Sequence, residues 1–306
     1  MQAVRYHEYG DESVLHVEDA ERPTAGAGQV LLRVAATAFN PVDAALRAGF
    51  LRDAVPLSLP HVPGFDVAGT VVELGDGVSS PREGEEVIGF LPMVRDGAAA
   101  EYAVAPAEVL VAAPRQVALT DAAALPSAGL TAWQALHEHL RLQAGQRLLV
   151  NGASGAVGGY AVQLALEAGA SVVAVVGPAG ADRVRGYGAD RLIDRTQGPV
   201  AAALDGLVDA VLDLAPVEPQ EREALLARLR PDGAYVTTVP TGPVGDPRVV
   251  SMFVRSDAAQ LAGLVARVDA GRLRVWVDDT VPLGELAAVH ARSAAGRLRG
   301  KVVLVP

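Results

Sequence analysis

Residues 151–159 read NGASGAVGG, directly after the apolar run RLLV and directly before YAVQLALEAGA. Gly152, Gly155 and Gly158 have the spacing GxxGxxG, with small residues at most positions between them. A strand before and a helix after make this otherwise weak motif informative. Because glycines lack Cβ atoms, a ligand can approach the backbone closely, and a helix N-terminus offers that ligand N–H groups and partial positive charge.

The same stretch would also suit a tight strand–helix turn without a ligand. Its context favours a dinucleotide, because strands and helices alternate through residues 119–271. Near-continuous apolar strands between helices predict a parallel sheet covered on both faces. The candidate strands are residues 147–151, 171–176, 190–193, 208–214, 233–239 and 248–251. We expect the pyrophosphate to lie on the backbone of Gly152, Ala153, Ser154, Gly155, Ala156, Val157 and Gly158.

Residues 1–118 have a different character, with short β-branched runs separated by Gly/Pro turns such as NPVD and HVPG. The tail, residues 272–306, ends in another strand and is expected to rejoin this domain. The predicted fold class is therefore α/β, with a β-rich domain (1–118 with 272–306) and a doubly wound parallel-sheet domain (119–271).

Composition excludes several classes of function. The formal net charge of −10 argues against nucleic-acid binding, and no apolar stretch reaches the ~20 residues needed to span a bilayer. The N-terminus has no apolar signal-peptide core, so a cytoplasmic protein is expected. The chain has no cysteine, which removes disulfides and thiolate–zinc sites, and Lys301 is its only lysine.

The end of the second strand bears on the choice of nucleotide. An NAD site usually has Asp or Glu there to accept from the ribose 2′-hydroxyl. This chain reads VVAVVGPAG, with Gly177 at that point and no carboxylate until Asp182. Arginines follow, so NADP(H) is favoured as the cofactor. Some of these arginines would also suit a solvated helix face; they are Arg183, Arg185, Arg191 and Arg195.

With these motifs the chain resembles the medium-chain dehydrogenase/reductase superfamily, in its zinc-free quinone oxidoreductase (zeta-crystallin-like) branch. The resemblance runs nearly end to end, through FNPVDAALRAG, VPGFDVAGTVVELGDGV, EGEEVIGF, AAALPSAGLTAWQAL, LLVNGASGAVGGYAVQLA and GRLRGKVVL. It implies a GroES-like N-terminal domain, a Rossmann domain, a cleft between them, and a homodimer.

The resemblance also bears on metal binding. Zinc alcohol dehydrogenases carry a ligand Cys where this chain has Asn40, their GHE histidine position is Phe65, and the third ligand falls near Ser127. These residues cannot form the usual Cys/His/Cys set, and a catalytic zinc needs three protein ligands. No metal is therefore expected.

By resemblance, Asn40 lies near the nicotinamide, where its amide can donate to the oxygen of the acceptor, although it would also suit an Asx cap of the NPVD turn. Thr131 matches a threonine that hydrogen-bonds near the same ring, although a helix threonine can bond to its own backbone. Further backbone expected to line the nicotinamide belongs to Val239, Thr241, Phe253 and Val254.

Two departures from the family pattern bear on the site. Many quinone reductases of this branch have Tyr where this chain has Ala45, which predicts a wider, less polar acceptor pocket bounded by Phe50, Leu91, Met93 and Phe253. Their Tyr after the third strand aligns with Arg195, which we interpret as the partner of the 2′-phosphate because a guanidinium fork suits phosphate.

The predicted function is an NADPH-dependent, zinc-independent reductase that transfers hydride to a small quinone or α,β-unsaturated ketone. Without a Lewis acid, hydride transfer suits acceptors that are already electron-poor. The alternative is a cofactor-binding protein of the same fold with little redox turnover, in a crystallin-like, scaffold or non-redox biosynthetic role. The proton donor stays open between His61, Tyr102 and water.

Overall fold

The computed structural model describes residues 1–239 and 245–306, which form two units. Unit 1 comprises Met1–Ser127 and Ser256–Pro306, and unit 2 comprises Ala128–Arg255. Residues 119–127 and 256–271, which the sequence assigned to the nucleotide-binding domain, thus belong to unit 1.

A tertiary contact ties the second of these segments, residues 256–271, to the rest of unit 1. The carboxylate of Asp269 accepts hydrogen bonds from the backbone N–H groups of Arg115 (2.7 Å) and Gln116 (3.2 Å). No local sequence pattern predicts these hydrogen bonds, because their partners are more than 150 residues apart along the chain.

Unit 2 is built on one six-stranded sheet. Apolar, β-branched segments form strands that are buried along most of their length, which confirms the predicted parallel sheet. All neighbouring pairs are parallel, and the strand order is β10-β9-β8-β11-β12-β13, the order of a doubly wound nucleotide-binding sheet. The strands are β8 (Arg147–Asn151), β9 (Ser171–Val176), β10 (Arg191–Asp194), β11 (Val208–Asp213), β12 (Leu229–Thr237) and β13 (Val249–Ser251).

Unit 1 is mainly antiparallel. Its larger sheet has the order β14-β15-β3-β4-β5-β7, with β6 also paired to β3, and a separate ribbon joins β1 to β2. Only β14 and β15 pair in parallel within the larger sheet as described. The strands are β1 (Gln2–Arg5), β2 (His16–Asp19), β3 (Gln29–Ala38), β4 (Asp66–Leu74), β5 (Glu86–Phe90), β6 (Tyr102–Pro106), β7 (Leu110–Ala112), β14 (Asp279–Pro282) and β15 (Val302–Val305).

The helices are short, and a π-helical turn, Ala135–His139, continues the third of them. Throughout residues 1–239 and 245–306, no helix has both the length and the apolar character required to cross a membrane. The boundary between the units falls inside α3. The helices are α1 (Pro41–Arg47), α2 (Leu119–Ala122), α3 (Pro126–Gln134), α4 (Ala156–Glu167), α5 (Ala181–Gly186), α6 (Val200–Ala203), α7 (Pro219–Ala227), α8 (Ala258–Asp269) and α9 (Leu286–Ala294).

Candidate functional site

The glycine loop lies at the carboxyl end of β8 and leads directly into α4. Gly152 has φ +80°, a left-handed conformation that glycine adopts without the penalty of a Cβ atom. Its carbonyl accepts from the Gly155 N–H at 3.0 Å, and the Ala153 N–H donates to the carbonyl of Val175 on β9 at 3.0 Å. These bonds hold a tight turn against the neighbouring strand.

Gly158 lets α4 pack closely on this turn. A Cβ at position 158 would lie 2.3 Å from the carbonyl oxygen of Gly152 and 2.6 Å from the Cα of Ala153, both backbone atoms. A second close approach occurs at Gly180, where a Cβ would lie 2.2 Å from the Cβ of Ser154. The loop therefore has the close backbone packing that the third glycine of a dinucleotide motif serves.

The N-terminus of α4 has no side-chain cap. Gly155 is the N-cap residue and has no side chain that could accept from the N–H groups of the first turn. Gly155 is exposed, Ala156 and Val157 are half-buried, and Gly158 is buried. An uncapped N-terminus of a twelve-residue helix presents several N–H donors and the positive end of the helix dipole to an anion.

Arg195, the residue after β10, lies beside the end of β9, where the sequence lacks an acid. The backbone N–H of Arg195 donates to the carbonyl of Val176 at 3.0 Å, and its Nε lies 3.6 Å from the Cβ position of Gly177. Arg195 is exposed, and within the described chain its guanidinium makes no ion pair. Arg183 has a different role, because its guanidinium donates to the carbonyl of Ser154 in the glycine loop.

A buried set of polar side chains joins three neighbouring strands of the sheet, β8, β11 and β12, by hydrogen bonds. Asp213, at the end of β11, accepts from Asn151 Nδ2 and from the hydroxyl of Tyr235, both at 2.7 Å. Burial raises the pKa of Asp213, while these two donors lower it. These hydrogen bonds were not predicted, because their members come from β8, β11 and β12 and meet only through strand pairing.

Asn40 belongs to a polar cluster in unit 1. Its Oδ1 accepts from the ammonium of Lys301 at 2.6 Å and lies 3.1 Å from the hydroxyl oxygen of Ser127. Its Nδ2 donates to Asp66 Oδ2 at 2.9 Å and, in a longer contact of 3.3 Å, to the carbonyl of Ala38. Both amide hydrogens of Asn40 therefore already have acceptors within unit 1.

Asp66 lies at the centre of this cluster and is fully buried. Its Oδ2 accepts from Lys301 Nζ at 2.9 Å and from the Ser127 hydroxyl at 2.7 Å, and its Oδ1 accepts from the Ser127 backbone N–H at 2.7 Å. Neither Asp66 nor Lys301 was predicted to belong to the site. The one available signal was that Lys301 is the only lysine in the chain.

The remaining residues predicted for the site lie in two groups. In unit 1, Leu91 is 2% exposed and belongs to the core, whereas Phe50 is 84% exposed. Met93 lines a small cavity together with Asp43, and Ala45 is half-buried in α1. In unit 2, Thr131 is buried in α3, Phe253 is exposed, Val239 and Val254 are half-buried, and Thr241 lies outside the described residues.

Asp43 is a buried acid beside the cluster. Its carboxylate accepts from the backbone N–H groups of Asn40 (2.9 Å) and Gly64 (3.2 Å), and these bonds hold the NPVD loop. Burial raises the pKa of Asp43 to about 7; the two N–H donors lower it, the nearby Asp66 raises it, and Lys301 lowers it. Asp43 therefore gains its proton near neutral pH in the folded protein.

This shift predicts a pH-dependent contribution to stability. In the unfolded chain Asp43 titrates near 3.8, so between about pH 4 and pH 7 the folded state holds a proton that the unfolded state has lost. The stabilising contribution of Asp43 is therefore complete below about pH 4 and declines as pH rises to about 7. We expect the difference in unfolding free energy between the wild type and Asp43→Asn, measured by urea denaturation, to fall over this range.

The exposed Asp76 provides a matched control. The pH profile of Asp76→Asn is the reference for the loss of an exposed carboxylate. A profile for Asp43→Asn that matches this reference would contradict the assigned pKa.

Comparison with known proteins gives consistent matches over the chain. Residues 26–115 match the family described as alcohol dehydrogenase GroES-like domain, and residues 187–304 match zinc-binding dehydrogenase. The chain is 33% identical to the chloroplast envelope quinone oxidoreductase homolog of Arabidopsis thaliana (100% of this chain, 98% of the relative). It is 32% identical to the NADPH-dependent alkenal/one oxidoreductase, chloroplastic, of the same plant (100% and 80%).

A solved structure agrees with these matches. The quinone oxidoreductase from Coxiella burnetii is similar with a TM-score of 0.90 and 27% identity, and the alignment covers 100% of this chain and 99% of that one. The predicted combination of a GroES-like domain with a Rossmann-like domain is thereby confirmed.

The name of the second matched family raises the question of whether this chain has a zinc site. The side chains of Asn40, Phe65 and Ser127 do not fit one. Asn40 and Ser127 offer an amide oxygen and a hydroxyl, and Phe65 is a buried apolar side chain packed against Phe90. The Lys301 ammonium already lies within hydrogen-bond distance of the oxygens of Asn40 and Asp66. Among the residues described, no group of three or more His, Cys, Asp or Glu side chains could hold a metal ion.

Proposed function

We propose that this chain, which belongs to the quinone oxidoreductase branch of the medium-chain dehydrogenase/reductase superfamily, is an NADPH-dependent, zinc-independent reductase of quinones or α,β-unsaturated ketones. The names of its relatives, quinone oxidoreductase and alkenal/one oxidoreductase, support a small-molecule acceptor of this kind. The observation that carries the proposal is the glycine loop of unit 2, with its uncapped helix N-terminus and with Arg195, which follows β10, lying beside the end of β9.

The nucleotide would be held by groups of unit 2. The N–H groups of Ala156, Val157 and Gly158 face no side-chain cap and are assigned to the pyrophosphate. The guanidinium of Arg195 is assigned to the 2′-phosphate, because it lies beside Gly177, where an NAD site would carry a repelling acid. When bound, the reduced nicotinamide supplies a hydride.

The acceptor is assigned to the Asn40 region of unit 1. A quinone or enone receives hydride at carbon, and its oxygen then gains negative charge that a hydrogen-bond donor stabilises. The Asn40 N–H with the 3.3 Å contact to the Ala38 carbonyl is the more weakly held one, and we assign it as this donor. With Ala45 in place of a tyrosine, water is assigned as the source of the proton.

A turnover assay tests the proposal. The protein is mixed with NADPH or NADH and with 1,4-benzoquinone, 9,10-phenanthrenequinone or a simple enone, and oxidation is followed at the absorbance of the reduced nicotinamide. We expect faster turnover with NADPH, unchanged after exhaustive treatment with a metal chelator. Binding of NADPH without turnover on any acceptor would favour the redox-silent alternative, and loss of activity with the chelator would contradict zinc independence.

The cytoplasmic location and the homodimer stay predictions. Cell fractionation tests the first, and sedimentation equilibrium of the purified protein tests the second.

A further inference from the structure

The ammonium group of Lys301 lies within hydrogen-bond distance of the side-chain oxygens of Asn40 and Asp66. The side chains of Lys301 and Asp66 are 2% and 0% exposed, and Ser127 is 4% exposed. Asn40, at the start of α1, is the one half-exposed member of this group. The other three enter from β4, the start of α3 and the residue before β15, so the cluster joins four separate segments of unit 1.

The charges in this group depend on each other. The carboxylate of Asp66 has no solvent contact, and Lys301 is the cation that contacts it. Removing one partner of a buried ion pair leaves the other charged, desolvated and uncompensated, which is strongly unfavourable. Loss of the ammonium would therefore leave the buried Asp66 carboxylate without its counter-charge.

The ammonium also determines which way the Asn40 amide faces. A lysine can only donate, so the atom of Asn40 that lies 2.6 Å from Nζ must be the oxygen. The nitrogen is then directed to Asp66 and to the Ala38 carbonyl. Without the ammonium, the amide could rotate and present its oxygen where it now presents N–H groups.

We propose that Lys301 is a built-in cation that takes the place of a metal ion among Asn40, Asp66 and Ser127, and that it acts as the positioning residue for the Asn40 amide. Its role as a cation stands on the cluster alone. Its consequence for turnover rests on the proposed function, through the assignment of Asn40 as donor to the acceptor.

The proposal is tested by asking whether a small ammonium ion restores the stability that is lost when the Lys301 side chain is removed. Lys301→Ala removes three methylene groups and the ammonium, which together correspond to propylammonium. We expect this variant to have a lower Tm than the wild type, and propylammonium at tens of millimolar to raise its Tm by about 3 °C or more through binding to the folded state. The wild type and Lys301→Ala/Asp66→Asn are expected to shift by less than about 1 °C.

Two matched additives separate the charge from its packing. Tetramethylammonium has the charge without an N–H donor, and 1-propanol has similar volume without the charge. Neither is expected to raise the Tm of Lys301→Ala. Equal stabilisation by either one, or no effect of propylammonium on the folded variant, would overturn the proposal.

A second pair of variants decides the case if Lys301→Ala does not fold. Lys301→Met keeps most of the stem volume and removes the charge. We expect Lys301→Met to be less stable than the wild type and Lys301→Met/Asp66→Asn to recover a large part of the loss in Tm. Full stability of Lys301→Met, or no recovery in the double variant, would contradict the cation role.

Turnover provides the separate catalytic readout. With a quinone acceptor, kcat of Lys301→Ala is expected to fall by at least about tenfold and to recover with propylammonium, as expected for loss of a single oriented donor at an oxyanion. The Kd for NADPH, measured by fluorescence, should stay within about twofold, because the nucleotide groups lie in unit 2. A stable variant with unchanged kcat would refute positioning of Asn40. If even the wild type turns over no acceptor, the proposed function fails while the Tm measurements still decide the cation role.

Discussion

Arg195→Ala is expected to weaken NADPH binding by about 10- to 100-fold while changing NADH binding by less than about twofold. A 10- to 100-fold loss of affinity is about what the loss of one or two charge-assisted hydrogen bonds to a phosphate would cause. Fluorescence titration with each nucleotide measures both constants in the same preparation. The ratio of the two changes is the informative quantity, because a general disturbance of the loop would reduce both affinities together.

The geometry around Arg195 gives the physical reason. Its backbone is tied to the end of β9 by the bond to Val176, and its side chain passes over Gly177. The nucleotides differ only at the 2′ position, so a residue that contacts only the 2′-phosphate distinguishes them. Arg185→Ala is a matched control. Arg185 is an exposed arginine of α5, the helix between β9 and β10, and it is already paired with Asp182. Equal losses for NADPH and NADH in Arg195→Ala would refute the assignment.

Gly158→Val is expected to reduce the affinity for both nucleotides by at least about 100-fold. The introduced Cβ would lie 2.3 Å from the Gly152 carbonyl oxygen, and neither this atom nor Ala153 Cα belongs to a flexible side chain. The turn and α4 must move apart, which removes the N–H groups of the helix N-terminus from the phosphate-binding position. Calorimetric titration with NADPH and NADH measures the loss.

Two variants make this result interpretable. Gly186→Ala is the control, because a Cβ at position 186 meets no atom within 4 Å, and it should bind both nucleotides as the wild type does. Circular dichroism of Gly158→Val shows whether the Rossmann sheet is retained. A folded Gly158→Val that binds NADPH normally would show that the glycine loop is only a structural turn.

Local patterns in the sequence predicted much of unit 2. Apolar β-branched runs identified the strands, and β8 and β9 have the predicted bounds. The ends of other strands differ, as for β12, which begins at Leu229 rather than near residue 233. Its first residue pairs with Val208 of β11, and the pairing register then shifts before Ala210 pairs with Ala234. Strand ends depend on pairing with a neighbour, and the sequence of one strand does not contain that information.

The sequence by itself determined the parts of this protein that depend on neighbouring residues: the strand–glycine–helix junction, the missing acid after β9, and the lack of a thiolate ligand set. These follow from backbone freedom and side-chain chemistry, which are local properties. Only the tertiary structure decided that Lys301 reaches Asn40 and Asp66, which lie 261 and 235 residues away along the chain. The reason is that a buried charge must find its counter-charge in space, and sheet pairing rather than sequence distance brings the two together.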